Sequence, residues 1–151
     1  VNPLEVRRLQ PGDTEAFLSL VDAHADFEGM PRPSPEARAR LIEHALMDPP
    51  LQRSYVALME GEVVGYAIVF LAYSSFLARP TFFIEDIFIR ATHRGQGVGT
   101  TFMAALADEA RSLACGRIEW MVQHWNESAQ RFYARQGAYP LSDWQPWRLD
   151  P

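Results

Sequence analysis

The sequence predicts an α/β fold: a mixed sheet flanked by about four helices, in a single domain spanning 1–151. Three observations predict it. The length of 151 residues suits one domain. The 48% hydrophobic and 12% aromatic content describes an ordinary globular core rather than a disordered or fibrous chain. The hydrophobic period alternates between helical and extended along the chain, in the order β α α β β β α β α β β.

The elements follow in order. Residues 4–9 form a first short strand. Pro11-Gly12-Asp13 is a turn, with Asp13 or Thr14 as the cap of a helix whose apolar positions are Phe17, Leu18, Val21 and Ala25. Gly29 to Pro33 breaks that helix. Ser34 caps a second one, with Pro35 at its first position and Glu36 supporting its N-terminus. Asp48-Pro49-Pro50 ends it. Residues 54–59 and 63–73 then read as a hairpin around Glu60-Gly61-Glu62. Residues 81–90 make another strand, dense in Phe and Ile. A glycine-rich loop, 94–99, leads into a helix with Val98, Phe102, Leu106 and Ala110 on one face, and Gly116 is its expected stop. Residues 117–122 are a strand. Asn126 caps a last helix reaching Gln136, and two short strands are expected within 138–149.

Several function classes are excluded or disfavoured. The net charge of -5 argues against nucleic acid, whose binding needs a basic face. All 14 basic residues are arginine, so no lysine Schiff base or phosphate-binding lysine exists. Cys115 stands alone, which forbids an internal disulfide and suits a reducing cytoplasm. As a nucleophile it would need a base and a low pKa; a small buried residue is the simpler expectation. The uncharged stretch 63–78 falls short of the about 20 residues of a membrane helix and is β-rich, so no membrane span is expected. The 4 histidines lack metal-ligand spacing, and no metal is expected.

The loop Arg94-Gly95-Gln96-Gly97-Val98-Gly99 carries the chemistry. Small residues let a backbone approach a ligand, and a helix N-terminus offers unpaired N–H groups to phosphate oxygens. A P-loop needs lysine, and a dinucleotide fingerprint needs glycine where Thr100 stands. An Arg/Gln-x-x-Gly-x-Gly/Ala pyrophosphate cradle fits Arg94, Gly97 and Gly99.

This loop resembles motif A of the GNAT superfamily of acyl-CoA N-acyltransferases. Phe83-Ile84-Glu85-Asp86-Ile87-Phe88-Ile89 resembles the strand that pairs with the pantetheine arm of the cofactor. Trp125-Asn126-Glu127, Phe132-Tyr133 and Gly137-Ala138 resemble the second half of the cofactor site, and with Trp147-Arg148-Leu149 they look most like the diamine (spermidine/spermine) N-acetyltransferase group. The resemblance implies a mostly antiparallel sheet with a splayed central strand pair. It implies acetyl-CoA as cosubstrate, a small-molecule amine as acceptor and a homodimer. Ile87, Phe88 and Ile89, the loop from Arg94 through Gly95, Gln96, Gly97, Val98 and Gly99 to Thr100, and Asn126 are the cofactor-binding residues it implies.

Acetyl transfer to an amine needs a neutral nucleophile, a donor for the oxyanion and a proton for the leaving thiolate. Tyr133 follows Asn126 by about two helical turns and shares its face; the resemblance places it beside the cofactor sulfur as general acid. Glu85 is the general-base candidate, because burial in an apolar strand would raise its pKa. Neighbours on a strand face opposite ways, so Glu85 and Asp86 line one pocket only if a bulge intervenes. The resemblance implies that the amine pocket is walled by the loop between the first two helices and the strand ends near 73–76, so Phe27, Glu28, Tyr73 and Phe76, with Asp86, are the substrate-side candidates. The polyamine members carry an acid where this chain has Ser74, which leaves a shorter amine, an amino acid or its analogue, or an antibiotic equally open. Two rival readings are a non-catalytic acetyl-CoA sensor, which would need neither Tyr133 nor Glu85, and an enzyme acting on protein amines.

Overall fold

The computed structural model describes residues 4–151. Two compact units divide the chain, Val1–Met121 and Val122–Pro151. The first holds one five-stranded sheet whose strands lie in chain order: β1 Leu4–Arg8, β2 Arg53–Met59, β3 Glu62–Ser74, β4 Arg79–Ile89 and β5 Arg117–Trp120. The first four pair antiparallel, and β5 joins β4 in parallel, so the sheet is mixed and mostly antiparallel, as expected. Three helices belong to this unit: α1 Thr14–Glu28, α2 Pro35–Leu46 and α3 Val98–Ser112. The second unit holds α4 Glu127–Arg135.

The core on one face of the sheet joins Phe17, Leu20 and Val21 of α1 to Val56, Leu58, Val63, Tyr66, Ile68 and Phe88 of the strands. The expected stripe on α1 is therefore offset: Phe17 and Leu20 are fully buried, while Leu18 is only partly covered. The other face receives α3, whose Val98, Phe102, Leu106 and Ala110 are buried; the Tyr55 hydroxyl donates to Glu109 of α3 at 3.2 Å.

Local signals account for the helix starts. Ser34 accepts from the Ala37 N–H at 3.1 Å, with Pro35 in the first turn of α2. Asp13 precedes α1 but spends its carboxylate differently. It accepts two bonds from Arg7, at 2.7 and 3.0 Å, and one from the Gln10 N–H at 2.8 Å. The Arg7 bond, first among these influences, holds its carboxyl below the usual range despite burial.

Three sequence expectations need correction. Gly116 is not the left-handed stop of α3; Ala114 takes that conformation at φ 55. A Cβ on Gly116 would lie 3.0 Å from Leu77 Cδ1, so its smallness serves packing instead. The strand expected over 117–122 stops at Trp120. The two strands expected within 138–149 do not form, and the segment is irregular and largely exposed. Pro140 and Pro146 explain this, since each lacks the N–H a ladder requires.

Candidate active site

After β4 the chain makes a short 3-10 turn, Ala91–His93, and then the glycine loop. Gly95 and Gly97 both sit in the left-handed region, at φ 74 and 83, where a side chain is strained. A Cβ on either would meet nothing within 4 Å. The space over the loop is open and the backbone is what it presents. Gly97 is also the N-cap of α3, and no side chain caps that end. The first N–H groups of a helix have no intrahelical partner, and the dipole there favours an anion. An uncapped helix start behind an open glycine cradle fits a pyrophosphate. Gln96 stiffens the loop by donating to the Thr92 carbonyl at 3.0 Å. Arg94 Nε donates to the Ile89 carbonyl at 2.9 Å, and its guanidinium lies over the rings of Phe27 and Phe88, 4.9 and 5.1 Å from their centroids.

The strand leading to this loop carries one extra residue. Ile68 pairs with Asp86 and Val69 with Ile84, so Glu85 is bulged out of the β3–β4 register. The β4–β5 ladder stops at the same place, its last pair being Ile84 with Trp120. From Glu85 to Ile89 the outer edge of β4 extends past β5. The expected central splayed pair corresponds to β4 and β5, but β5 is the edge strand of the sheet and what is seen is that their pairing ends at Ile84 and Trp120. The unpaired edge of β4, including Ile87, Phe88 and Ile89, offers backbone groups to an extended ligand arm.

The bulge separates the two carboxylates. Glu85 is exposed, which corrects the expectation of a carboxylate buried in an apolar strand. Asp86 takes that place. It shares a face with Ile68, and burial pushes its carboxyl up, partly countered by His24 and reinforced by Glu85 and Glu28. His24 of α1 lies 3.9 Å from Asp86 Oδ1 through Nδ1. The same nitrogen is 2.6 Å from the Tyr66 hydroxyl, and Nε2 is 3.0 Å from Glu28 Oε1. The imidazole stacks on Phe88, centroids 4.9 Å apart at 20°. Phe27 packs on Phe88 in turn, at 6.2 Å. Phe27, Glu28 and Asp86 thus meet around His24, directly beside Arg94.

Tyr73 and Phe76 lie elsewhere. Tyr73 pairs with Pro80 at the far end of the β3–β4 hairpin, and Phe76 is fully exposed in its turn. Ile68, the partner of Asp86, is five positions along β3 from Tyr73; at strand rise this is about 17 Å. In the second unit, Asn126 accepts from the Ala129 N–H at 3.2 Å, so it caps α4. Tyr133 is half-buried, its ring edge-on to Phe132 at 5.4 Å. Burial pushes its hydroxyl up to about 12, so it stays protonated. Burial also raises the Cys115 thiol, the wrong direction for a nucleophile.

His24 and Tyr66 are the site residues sequence reasoning missed. His24 occupies the next apolar position of α1 after Phe17, Leu20 and Val21, and Tyr66 is the polar tip within the apolar run 63–72 of β3. Both signals were visible, but a register was needed to join them. Among the described residues no helix is long and apolar enough to cross a membrane, and no group of three His, Cys, Asp or Glu is arranged to hold a metal ion.

Comparison with known proteins places this geometry. Residues 17–138 match the acetyltransferase (GNAT) family. Thialysine N-epsilon-acetyltransferase of Mus musculus is 33% identical over 150 residues, covering 94% of this chain and 88% of the relative. L-ornithine N5-acetyltransferase NATA1 of Arabidopsis thaliana is 42% identical over 87 residues, which cover 58% of this chain but 38% of that protein. The fold is that of an integron cassette protein of V. cholerae, with a TM-score of 0.83 at 20% identity over 100% of this chain and 94% of the other. It is also that of an aminoglycoside acetyltransferase from a soil metagenome, with a TM-score of 0.80 at 18% identity over 99% and 98%. The match over most of the chain, together with the open glycine loop and the end of β4 that extends past β5, makes this protein a member of the GNAT family of N-acetyltransferases, whose acyl donor is acetyl-CoA.

Proposed function

We propose that this protein transfers acetyl from acetyl-CoA directly to a primary amine of a small cationic molecule, a diamine or an amino-acid-like amine. The observation that carries this reading is the half-buried Asp86 facing Glu28 across His24, beside the rings of Phe27 and Phe88, at the end of β4 that feeds the glycine loop. Two carboxylates beside aromatic rings suit an ammonium-bearing chain. Thialysine and L-ornithine, the amines in the relatives' names, belong to that class. Residues 1–151 act as one catalytic domain in this reading, because the family match runs across the division at Met121. A homodimer belongs to the same reading, and sedimentation of the purified chain tests it.

The residues divide the work as follows. Backbone groups of Arg94 to Thr100 hold the pyrophosphate of acetyl-CoA, and the edge at Ile87 to Ile89 holds its arm. Acetyl-CoA supplies the thioester carbonyl. An aliphatic amine has a pKa of about 10 and must lose a proton before attack. Asp86 attracts the cation, and its raised pKa makes it a better proton acceptor than an ordinary carboxylate. Glu85, exposed on the bulge, acts through water. A β4 amide near Ile87 serves as oxyanion donor. Asn126 orients the start of α4, and Tyr133 keeps its proton for the departing thiolate.

The test is acetyl-CoA consumption over a panel of L-ornithine, thialysine, spermidine, an aminoglycoside and a peptide with a free N-terminus. Turnover with a small amine well above the peptide supports the reading. Preference for the peptide, or acetyl-CoA binding without turnover, overturns it in favour of a protein acetyltransferase or a sensor.

A further inference from the structure

The two halves of Arg94 face different parts of the site. Its backbone opens the glycine loop, whereas its side chain turns out of that loop and back along β4. Nε donates to the Ile89 carbonyl at 2.9 Å, and the guanidinium lies over Phe27 of α1 and Phe88 of β4, 4.9 and 5.1 Å from the ring centroids. A planar guanidinium tied at Nε and stacked on two rings has little freedom left, and its two terminal nitrogens still carry donors. Among the described residues they make no hydrogen bond and have no carboxylate within ion-pair distance. Arg7, Arg32 and Arg38, by contrast, each hold an aspartate. Acids are nonetheless close. Phe88 also stacks on His24 at 4.9 Å, and His24 faces Glu28 and Asp86. One aromatic cluster therefore has a cation with unspent donors on one flank and two carboxylates on the other.

We propose that the Arg94 side chain takes the carboxylate of the acceptor, so that the preferred acceptor is an amino acid with a side-chain amine rather than a diamine or polyamine. A site with both signs of charge matches a molecule with both. Glu28 and Asp86 attract its ammonium groups, and the guanidinium fork meets its carboxylate with paired, charge-assisted hydrogen bonds. A diamine of the same stem satisfies the acids and leaves the fork without an anion. A longer polyamine fares worse, because a further ammonium would lie against the guanidinium, and repulsion of the wrong ligand sharpens the choice. The same residue thus serves both substrates: its main chain belongs to the cofactor loop and its head to the acceptor.

This rests on the reading that Glu28 and Asp86 hold the amine, and the test separates the two. Acetyl transfer by the full chain is measured at saturating acetyl-CoA with two pairs of acceptors, each an amino acid and its decarboxylated form: L-ornithine with 1,4-diaminobutane, and thialysine with the corresponding diamine. The wild type should favour the amino acid in kcat/KM by about tenfold to a hundredfold, chiefly through KM. Arg94→Gln should bring each ratio to within about threefold of unity. Arg94→Lys, which keeps the charge without the fork, should restore part of the preference. Any cost that a variant carries through the glycine loop is common to both members of a pair and cancels in their ratio. An Arg94 that serves only the cofactor or the loop lowers both members together and leaves the ratio at the wild-type value, which overturns the proposal. A wild type that accepts both members equally overturns it too, with the amine reading intact. A wild type that binds acetyl-CoA yet turns over neither member of either pair refutes the amine site itself, and the role of Arg94 with it.

Discussion

Gly97→Ala separates the fold from the cofactor site by arithmetic. Gly97 has φ 83 and ψ -2, and a Cβ added there meets nothing within 4 Å. The cost to the empty protein is therefore conformational only. A non-glycine residue in this region costs about 1–2 kcal/mol. For a chain of this size each kcal/mol moves the melting point by about 2–4 °C, so a fall of about 2–8 °C is expected. Gly12→Ala is the control: its Cβ also meets nothing within 4 Å and its φ is not left-handed, so its melting point should scarcely move. Acetyl-CoA at 100 times its Kd stabilises the wild type by about 2.7 kcal/mol, a rise of about 5–10 °C. The Gly97→Ala methyl occupies the open space through which phosphate reaches the backbone, so most of that rise should vanish. Differential scanning fluorimetry with and without acetyl-CoA reads both quantities. A variant that melts lower as expected yet keeps the full acetyl-CoA rise refutes the assignment of this loop.

Three further outcomes follow from the described groups. Tyr133→Phe keeps the ring and removes the proton donor; kcat should fall by about 100-fold to 10,000-fold with acetyl-CoA affinity little changed, measured by steady-state kinetics and calorimetry. Asp86 has a folded pKa raised above the unfolded value near about 3.9, so its contribution to stability is present at low pH and is lost as pH rises through the folded value. Asp86→Asn should therefore gain stability relative to wild type at pH 8 compared with pH 4, while kcat/KM falls and loses its acid limb; Glu85→Gln should change neither stability nor the acid limb by as much. Asp13 is the opposite case, its folded pKa depressed by Arg7. Its contribution is present above about pH 4 and is lost as pH falls through the folded value. Asp13→Asn should cost about 1.5–3 kcal/mol at pH 7 by denaturant titration, and the gap to wild type should close under acid conditions.

The sequence resolves what is local. Ser34 and Pro35 mark a helix start because the cap bond spans three residues, and the hairpin around Glu60-Gly61 follows from alternation on either side. The glycine loop was legible because its conformation depends on its own residues. Contacts set by register were not. Tyr66 and His24 are 42 residues apart in sequence and meet only once α1 is laid on β3. That Asp86 rather than Glu85 turns towards the core depends on one extra residue in β4, which no periodicity reveals among Phe and Ile on both faces. The tail misled because Tyr139, Trp144 and Trp147 have strand propensity, whereas Pro140 and Pro146 remove the donors a strand needs.

The bulge at Glu85 can be read as a matter of odd and even. Ile84 and Ile87 are three apart yet sit on the same face: they pair with Val69 and Ala67, two apart on β3. Deleting Glu85 would restore strict alternation and leave every flanking core residue facing the way it faces now. The extra residue is thus neutral for the core, and its effect falls on the outer edge, where pairing with β5 ends. A straightened β4 would continue that pairing and close the gap beside Ile87. Glu85→Ala, by contrast, removes the carboxylate and keeps the count. The deletion should fold with a normal melt and lose acetyl-CoA binding, while Glu85→Ala should keep it. In this strand the number of residues, apart from their chemistry, is what holds the site open.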